Sequence, residues 1–413
     1  MNNSQKKLKI AFFVERFPKL SETFVVNQLS FLLNAGHEVD VFPVGRSGEK
    51  DMHRDIHQLR LLRRTNYPPI VPQNKIWAWI KFTGLVYVKP TLRTVVKLLK
   101  AQDFYRNQDM LRRFYLISLI YPFIPKRKYD IIHCHFGPTG LRAVFVASLG
   151  LLEGKMLTTF YGYDITHHTM GKNYYQNLFN SCDKFIVISN YIREKAASVG
   201  FDRDKLEVLP IVVNTDEFIL SSRKTDSDCI RLLSVARLVE KKGLYYSISA
   251  FHLLVEQYPN IHYDIVGDGE LMEPLKEQVA LLVLEERVIF HGAKKKDAII
   301  DFYRKSDIFV LPSITGSDGN SEGQGLVLQE AQAMRLPVLA TLHNGIPEGV
   351  MDGITGYLVP EKDIDELVKK MELLIENPKA RREMGERGRE FVNRKFNNTL
   401  LGRQLENIYR DLL

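Results

Sequence analysis

Short, nearly continuous apolar runs recur along the chain, each followed by a turn signal and then by a stretch with helical spacing. Leu8–Val14, Val39–Val44, Tyr129–His135, Met156–Phe160, Lys184–Ile188 and Leu206–Leu209 form a first series. Ile230–Val235, Ile261–Val266, Arg287–His291, Asp307–Leu311, Pro337–Ala340 and Tyr357–Val359 form a second. Runs apolar at successive positions have no face to give to water, so they read as parallel strands covered on both sides. Between them the apolar period lengthens: an amphipathic helix opens at Ser21, which supplies an N-cap, runs through Leu33 and stops at Gly36. Gly137 and Gly140 are read as the turn after the third strand. Further helices are expected over residues 243–257, 270–284, 363–375, 379–396 and 399–413. The alternation lapses in NTDEFILSSRKTDSDC, residues 214–229, and then starts afresh. This pattern predicts an α/β protein of two doubly wound parallel-sheet domains facing a central cleft: residues 1–213, a linker over 214–229, residues 230–390, and a terminal helix over 391–413 packing back on the first domain.

Doubly wound sheets bind ligands beyond the carboxyl ends of their strands, which directs attention to two loops. After the run ending at Leu311 comes a polar Ser/Gly/Asp loop, then Gly323 and Gly325, then a helix from Leu326 carrying Leu328, Ala331 and Met334 until Pro337 closes it. A strand, a glycine loop and a helix start present unpaired amides and the positive end of a helix dipole, an anion site. Glu322 and Glu330 bracket it. Eight residues span at most ~12 Å as helix and more as loop, about the ribose–diphosphate–hexose core of a nucleotide sugar. Ionised carboxylates accept only, which suits vicinal hydroxyls. The second loop, after Val235, carries Arg237 and Lys242, whose charges suit a diphosphate without a metal. Alone they read as two surface cations; Glu322, Gly325 and Glu330 at matching topological positions favour the cleft.

Composition narrows the class. With 413 residues and 45% hydrophobic content there is ample core for two domains. Cys134, Cys182 and Cys229 lack metal-ligand spacing and suit a reduced, cytoplasmic protein. The apolar run in MNNSQKKLKIAFFVERFP is too short for a signal peptide and is broken by Glu15 and Arg16. The longest other candidate, Phe114–Ile124, is too short to span a bilayer. The net charge of +8 is uneven: twelve Lys and Arg lie between Lys75 and Lys128, interleaved with Trp77, Trp79, Phe82, Tyr87, Phe104, Tyr105, Phe114 and Tyr115. Such a stretch suits an anionic membrane surface; the other reading is a solvated helical subdomain whose aromatics are core. Nucleic acid is not expected. Asp-x-Asp occurs at 202–204, 226–228 and 363–365, away from the expected cleft, and no metal or other cofactor is predicted.

Ala236-Arg237-Leu238…Lys242-Gly243, Val266-Gly267-Asp268-Gly269, the Glu322-x7-Glu330 pair and His343-Asn344-Gly345-Ile346-Pro347-Glu348 followed by Gly353-x-x-Gly356 resemble the retaining GT-B glycosyltransferases of family four. Phe17-Pro18-Lys19-Leu20-Ser21-Glu22-Thr23-Phe24 with Asn27-Gln28 is similar to the exopolysaccharide branch, with the colanic acid and amylovoran enzymes. The resemblance covers nearly the whole chain. It implies transfer of a hexosyl group, with retention, from a nucleotide sugar (UDP-linked favoured) to a lipid-linked oligosaccharide or other saccharide bound by the N-terminal domain. It also implies residue roles: Arg237 and Lys242 on the diphosphate, Glu330 on the ribose, Glu322 on the hexose. Amides from Gln324, Gly325, Leu326 and Val327 would meet sugar and phosphate, and His291-Gly292 would flank the base. Glu348 is read as structural, or as lining the loop. Amides at the Ser21 helix start would also meet phosphate, although the usual glycine-rich loop is missing there. Tyr161 stands where many relatives have histidine. Asp164 either contacts an acceptor hydroxyl or caps the next helix, and His135 is either a further candidate or a hydrogen-bonded structural histidine. A retaining hydrolase would hold two carboxylates ~5 Å apart; only Glu322 is expected near the sugar, so front-side attack is the favoured route. The rival readings are a nucleotide-sugar epimerase of the same fold, a pyridoxal-phosphate phosphorylase, and a non-catalytic saccharide- or lipid-binding scaffold.

Overall fold

The computed structural model describes residues 6–19, 22–48, 54–88, 96, 109–166, 174–219 and 229–413. Ser21, the 226–228 Asp-x-Asp triplet, most of the linker and residues 89–95 and 97–108 of the basic stretch lie outside these.

Among the described residues the expected apolar runs all become strands, and every pairing between them is parallel. In the first sheet β1 (Lys9–Arg16), β2 (Glu38–Gly45), β3 (Arg127–His135), β4 (Leu152–Phe160), β5 (Lys184–Val187) and β6 (Leu206–Val208) lie in the order β2-β1-β3-β4-β5-β6. In the second, β7 (Ile230–Val235), β8 (Ile261–Val266), β9 (Val288–Phe290), β10 (Ile308–Leu311), β11 (Val338–Thr341) and β12 (Gly356–Val359) lie in the order β12-β11-β10-β7-β8-β9. Each order reverses beside its first strand, which opens a crevice there at the carboxyl edge.

Helices cover both faces of both sheets. Gly137 and Gly140 do not form a turn, as their glycines suggested; they lie in the helix Gly137–Ser148. Their value is closeness: a Cβ on Gly137 would sit 2.3 Å from the Tyr175 hydroxyl, and one on Gly140 2.6 Å from Thr158 Oγ1. The first helix spans Thr23–Asn34 with Glu22, not Ser21, at its cap position.

The chain crosses between the domains twice, and the crossings hold each other. Val213 donates its amide to Phe396 O (2.9 Å) and accepts from Asn398 N (3.2 Å). The terminal helix Asn398–Asp411 then lies on helix Thr23–Asn34, burying Leu401, Leu405, Ile408 and Tyr409 in the N-terminal core. Tyr409 Oη reaches His133 Nδ1 at 2.6 Å, and Gly402 leaves room for the Phe31 ring.

Candidate active site

The site begins with the turn after β7. Gly243 has φ +66, and a Cβ there would lie 1.9 Å from Pro312 O, so the turn presses against the end of β10. That contact carries Lys241 and Lys242 onto the loop before helix Leu326–Ala333. The Lys241 ammonium donates to Ser321 O (3.1 Å) and Asn320 Oδ1 (3.3 Å), and Lys242 forms a short ion pair with Glu322. In that pair Lys242 is 12% and Glu322 15% exposed. Burial lowers the Lys241 pKa; Glu322 opposes this while Lys242 and Arg237 add to it, which shows how tightly the cations are grouped.

Glu322 is fixed from behind. Its amide donates to His343 Nε2 (3.0 Å), while His343 Nδ1 meets Glu361 Oε1 at 2.5 Å. An imidazole accepting a backbone N–H at Nε2 must carry its proton on Nδ1, so the acceptor His343, 0% exposed, stands in one tautomer. Burial alone would raise the Glu322 carboxyl, but Lys242 and Lys241 hold it down to about 2. It is an acceptor at any working pH. Glu330, on the next helix, is the opposite case. Burial, with help from Glu217, raises it to about 7 against Lys296 and the Tyr303 hydroxyl, which donates to Glu330 Oε2 at 3.0 Å.

Both carboxylates line one cavity of about 950 Å³, shared with Arg237, Lys241 and Lys242 and with Leu326 and Val327 of the first helical turn. Gly325, at φ +75, occupies the cap position of that helix and offers its first amides no side-chain acceptor. Thr23, Asp55 and Gln58 line it from the N-terminal domain, so the cavity is the interdomain cleft. Lys294, Lys295 and Lys296 line it too, Lys296 acting on Glu330, so six cations share the cavity with these carboxylates and with Asp55, Asp216, Glu217, Asp268 and Asp297; the cations fit an anion and the carboxylates hydroxyl-bearing groups.

Two family descriptions match, "Glycosyltransferase Family 4" over residues 21–217 and "Glycosyl transferases group 1" over residues 216–391. The chain is 32% identical over 409 residues to the putative colanic acid biosynthesis glycosyltransferase WcaL of Salmonella typhimurium, covering 98% of this chain and 100% of the relative. It is 31% identical over 410 residues to the amylovoran biosynthesis glycosyltransferase AmsK of Erwinia amylovora, again 98% and 100% covered. The chain belongs to the family-four GT-B glycosyltransferases, in the exopolysaccharide branch. Solved structures share the fold: a Rickettsia africae glycosyltransferase at TM-score 0.69 and 20% identity, covering 98% of both chains, and Anabaena HepE in complex with UDP at 0.68 and 16%, covering 98% and 100%.

Within this transferase the other expected site residues are dispersed. The Gln324 side chain is turned to the interdomain crossing: its Oε1 accepts from Ile211 N (2.8 Å) and its Nε2 donates to Ile211 O (3.3 Å). His291 bonds Asp264 Oδ1 through Nε2 (2.6 Å) and packs on Phe302, lining a separate hollow with Arg231 and Lys305. Gly292 O accepts from Gly267 N (3.0 Å), and it is Ala293 to Asp297 that reach the cleft. Asp164 is spent on main chain: one oxygen accepts from Tyr161 N and Gly162 N (3.0 Å each), the other from Gly137 N (3.1 Å). Burial raises it to about 6 against those bonds. It does not cap a helix after it: Asp164 lies inside the short helix Tyr163–Thr166 and serves the two amides before that helix and the start of helix Gly137–Ser148. His135 Nδ1 meets the Tyr161 hydroxyl at 2.8 Å, and its ring is 0% exposed. Glu348 is structural in an unforeseen way, accepting from Asn190 N (2.9 Å) and Tyr191 N (3.0 Å) at the start of helix Asn190–Val199 in the other domain. The Asp-x-Asp residues Asp202 and Asp363 cap helices, accepting from Asp204 N and Glu366 N.

Several residues that line the cleft or hold its lining left little sign in the sequence. Lys241, Lys296, Tyr303 and His343 act through partners far along the chain, and Thr23, Asp55 and Gln58 join the cleft only through domain packing. Thr23, Lys241 and His343 lie inside stretches quoted for the family, which was the trace they left.

Proposed function

We propose that this glycosyltransferase moves a hexosyl group from a UDP-linked donor, with retention and without a metal, to a lipid-linked saccharide. The observation that carries the reading is the cluster of Arg237, Lys241 and Lys242 at Glu322, in one cavity with Glu330. The diphosphate lies on the cations, the ribose diol on Glu330 and a hexose hydroxyl on Glu322. An ammonium has three donors, so Lys242 keeps Glu322 and still meets a phosphate oxygen. The acceptor hydroxyl attacks C1 on the face the nucleotide leaves. The C1–O bond to phosphate breaks as the new C1–O bond forms, and the acceptor's proton passes to the departing phosphate oxygen, whose charge Arg237 and Lys242 offset. HepE, solved with UDP and with UDP-glucose, supports a uridine nucleotide on this fold.

The acceptor's lipid tail places the enzyme at an anionic membrane face. On helix Lys75–Val88 the side chains of Ile76, Trp77 and Trp79 are 69%, 65% and 56% exposed beside Lys75 and Lys81, while Ala78 and Phe82 anchor the helix inward. Exposed tryptophans flanked by lysines match the chemistry of a headgroup layer. Among the described residues no helix is long and apolar enough to cross a membrane.

Donor hydrolysis across UDP- and GDP-linked hexoses, with the product anomer read by NMR, tests the chemistry. Full transfer by both Arg237→Ala and Glu330→Ala would place the donor elsewhere. Reversing Lys75 and Lys81 to Glu should release the protein from phosphatidylglycerol vesicles; unchanged binding refutes the membrane arm.

A further inference from the structure

Four polar side chains in the N-terminal core stand apart from the cleft cavity. Tyr409, His133 and His135 are each 0% exposed and Thr159 2%, so contact with water does not account for their polarity. Tyr409 Oη meets His133 Nδ1 at 2.6 Å, and His133 Nε2 meets Thr159 Oγ1 at 2.7 Å. The His133 and His135 rings stack at 4.2 Å and 27°, and Phe12 packs on both, at 5.0 and 4.7 Å. His135 Nδ1 meets the Tyr161 hydroxyl at 2.8 Å, while its Nε2 is buried with no partner among the described residues. Burial lowers both imidazoles, His135 to about 3, so at neutral pH each is uncharged, with one donor and one acceptor.

A core that only needed filling would use apolar rings, since a buried polar group without a partner costs stability. Here the polar groups are joined into a line from the terminal helix Asn398–Asp411 to the loop after β4. That line ends at the donor loop. Tyr161 is clamped by Phe24 and Phe136, with ring centroids at 4.4 and 4.7 Å, and its amide donates to Asp164. A Cβ on Gly323 would come within 2.7 Å of Tyr161 O, so Gly323 rests directly on Tyr161 across the domain interface. The preceding residue is Glu322, whose amide is held from its own domain by His343. Close-packed groups pass a displacement on. A shift of the Tyr161 carbonyl therefore moves Gly323, and with it the Glu322 carboxylate.

We propose that Tyr409, His133 and Tyr161 are positioning residues for transfer: the docked terminal helix, through the two stacked imidazoles, sets the Tyr161 carbonyl against Gly323 and so the place of Glu322 at the hexose. This role rests on the donor reading above and adds what fixes that carboxylate from the other domain. It gives the return of the chain to the N-terminal domain a consequence for catalysis, although the terminal helix contributes nothing to the cavity lining.

The test is a double-mutant cycle on the full chain, read by hydrolysis of whichever UDP- or GDP-linked hexose the wild type turns over. Tyr409→Phe and Tyr161→Phe each delete one hydroxyl and keep the ring. Each should lower kcat about tenfold, short of the ~100-fold that misplacement by a full ångström costs. The dissociation constant of the matching nucleoside diphosphate, from calorimetry, should stay within twofold. Because both hydroxyls act through one line, the double variant should also lose about tenfold, not the roughly hundredfold of independent sites. Leu405→Val thins the packing of the same helix without touching a hydroxyl, and should lower the melting temperature with kcat within twofold. If Tyr409→Phe does not fold, Thr159→Val, which strips the other nitrogen of His133, replaces it in the cycle. Wild-type kcat in both tyrosine variants, losses that multiply in the double variant, an equal loss in Leu405→Val, or a matching fall in nucleotide affinity would each overturn the role. A wild type that hydrolyses neither class of donor is the separate result that removes the donor reading itself.

Discussion

Replacing Glu322 with Gln tests the site more sharply than deleting a cation. The carboxamide keeps the shape but leaves Lys242 and Lys241 grouped without their counter-ion. Removing one partner of a buried pair costs ~3–5 kcal/mol. Here the pair opens on the cleft, at 12% and 15% exposure, so water recovers part of that and about 2 kcal/mol remains. The pKa gives a compatible ceiling. A carboxyl held at about 2 instead of the ordinary 4.5 contributes ~3 kcal/mol at neutral pH. Because the folded value is the lower one, that contribution is present above 4.5 and disappears as pH falls toward 2. At ~2–4 °C per kcal/mol for a domain of this size, the variant should melt ~4–8 °C lower at pH 7, and the gap should narrow at pH 3. Ligand binding then separates two roles. With the carboxylate gone the pocket is more positive, so UDP should bind at least as tightly and raise the melting temperature more than in the wild type. The UDP-hexose should lose that advantage, because a hexose hydroxyl has lost its acceptor, and transfer should fall ~100-fold or more. Differential scanning fluorimetry, calorimetry and a transfer assay give the three readouts. A tenfold loss of UDP affinity with unchanged melting would refute the reasoning, since it would put Glu322 on the nucleotide and not against the lysines.

Glu330 has its folded value near 7, above the ordinary 4.5, so its ionisation costs folding stability as pH rises through that window. The ribose diol needs the ionised acceptor, so UDP affinity should climb between pH 6 and 8, and Glu330→Gln should bind weakly with a flat profile; a climb that survives in the variant assigns it to another group. Asp164→Ala leaves three amides without their acceptor and should cost ~2–4 kcal/mol of stability. A large loss of kcat at unchanged melting would instead put Asp164 in the chemistry. Glu348→Ala should remove ~1 kcal/mol of helix capping across the domain interface and raise the donor KM more than it lowers kcat; small-angle scattering identical to wild type with an unchanged KM would show that the contact does not set the domain arrangement.

The strands were legible because their signal is local. A run such as Leu8–Val14 can bury both faces only in a sheet covered on both sides, and the renewed alternation after residue 229 could only be a second such sheet. Glu322, Glu330, Arg237 and Lys242 were legible for a related reason: Arg237 and Lys242 follow a strand end, Glu322 lies in the loop before a helix and Glu330 in that helix's second turn, and in this topology such ends converge. The helix Gly137–Ser148 was not, because glycine is a weak helix former and its purpose, admitting Tyr175, lies some forty residues away. Nor were the partners of Gln324 and Glu348: the one was expected to act through its amide and the other as a structural carboxylate, and only the fold brings them to Ile211 and to the start of helix Asn190–Val199. Sequence by itself determined the two sheets, their order of elements and the side chains that the strand ends present. The tertiary structure decided which polar groups face the cleft and which are consumed in holding it, because a hydrogen bond between residues 158 apart leaves no periodic trace in either segment. It alone set the charge states of the two glutamates, through the lysines that packing places beside one and the burial it imposes on the other.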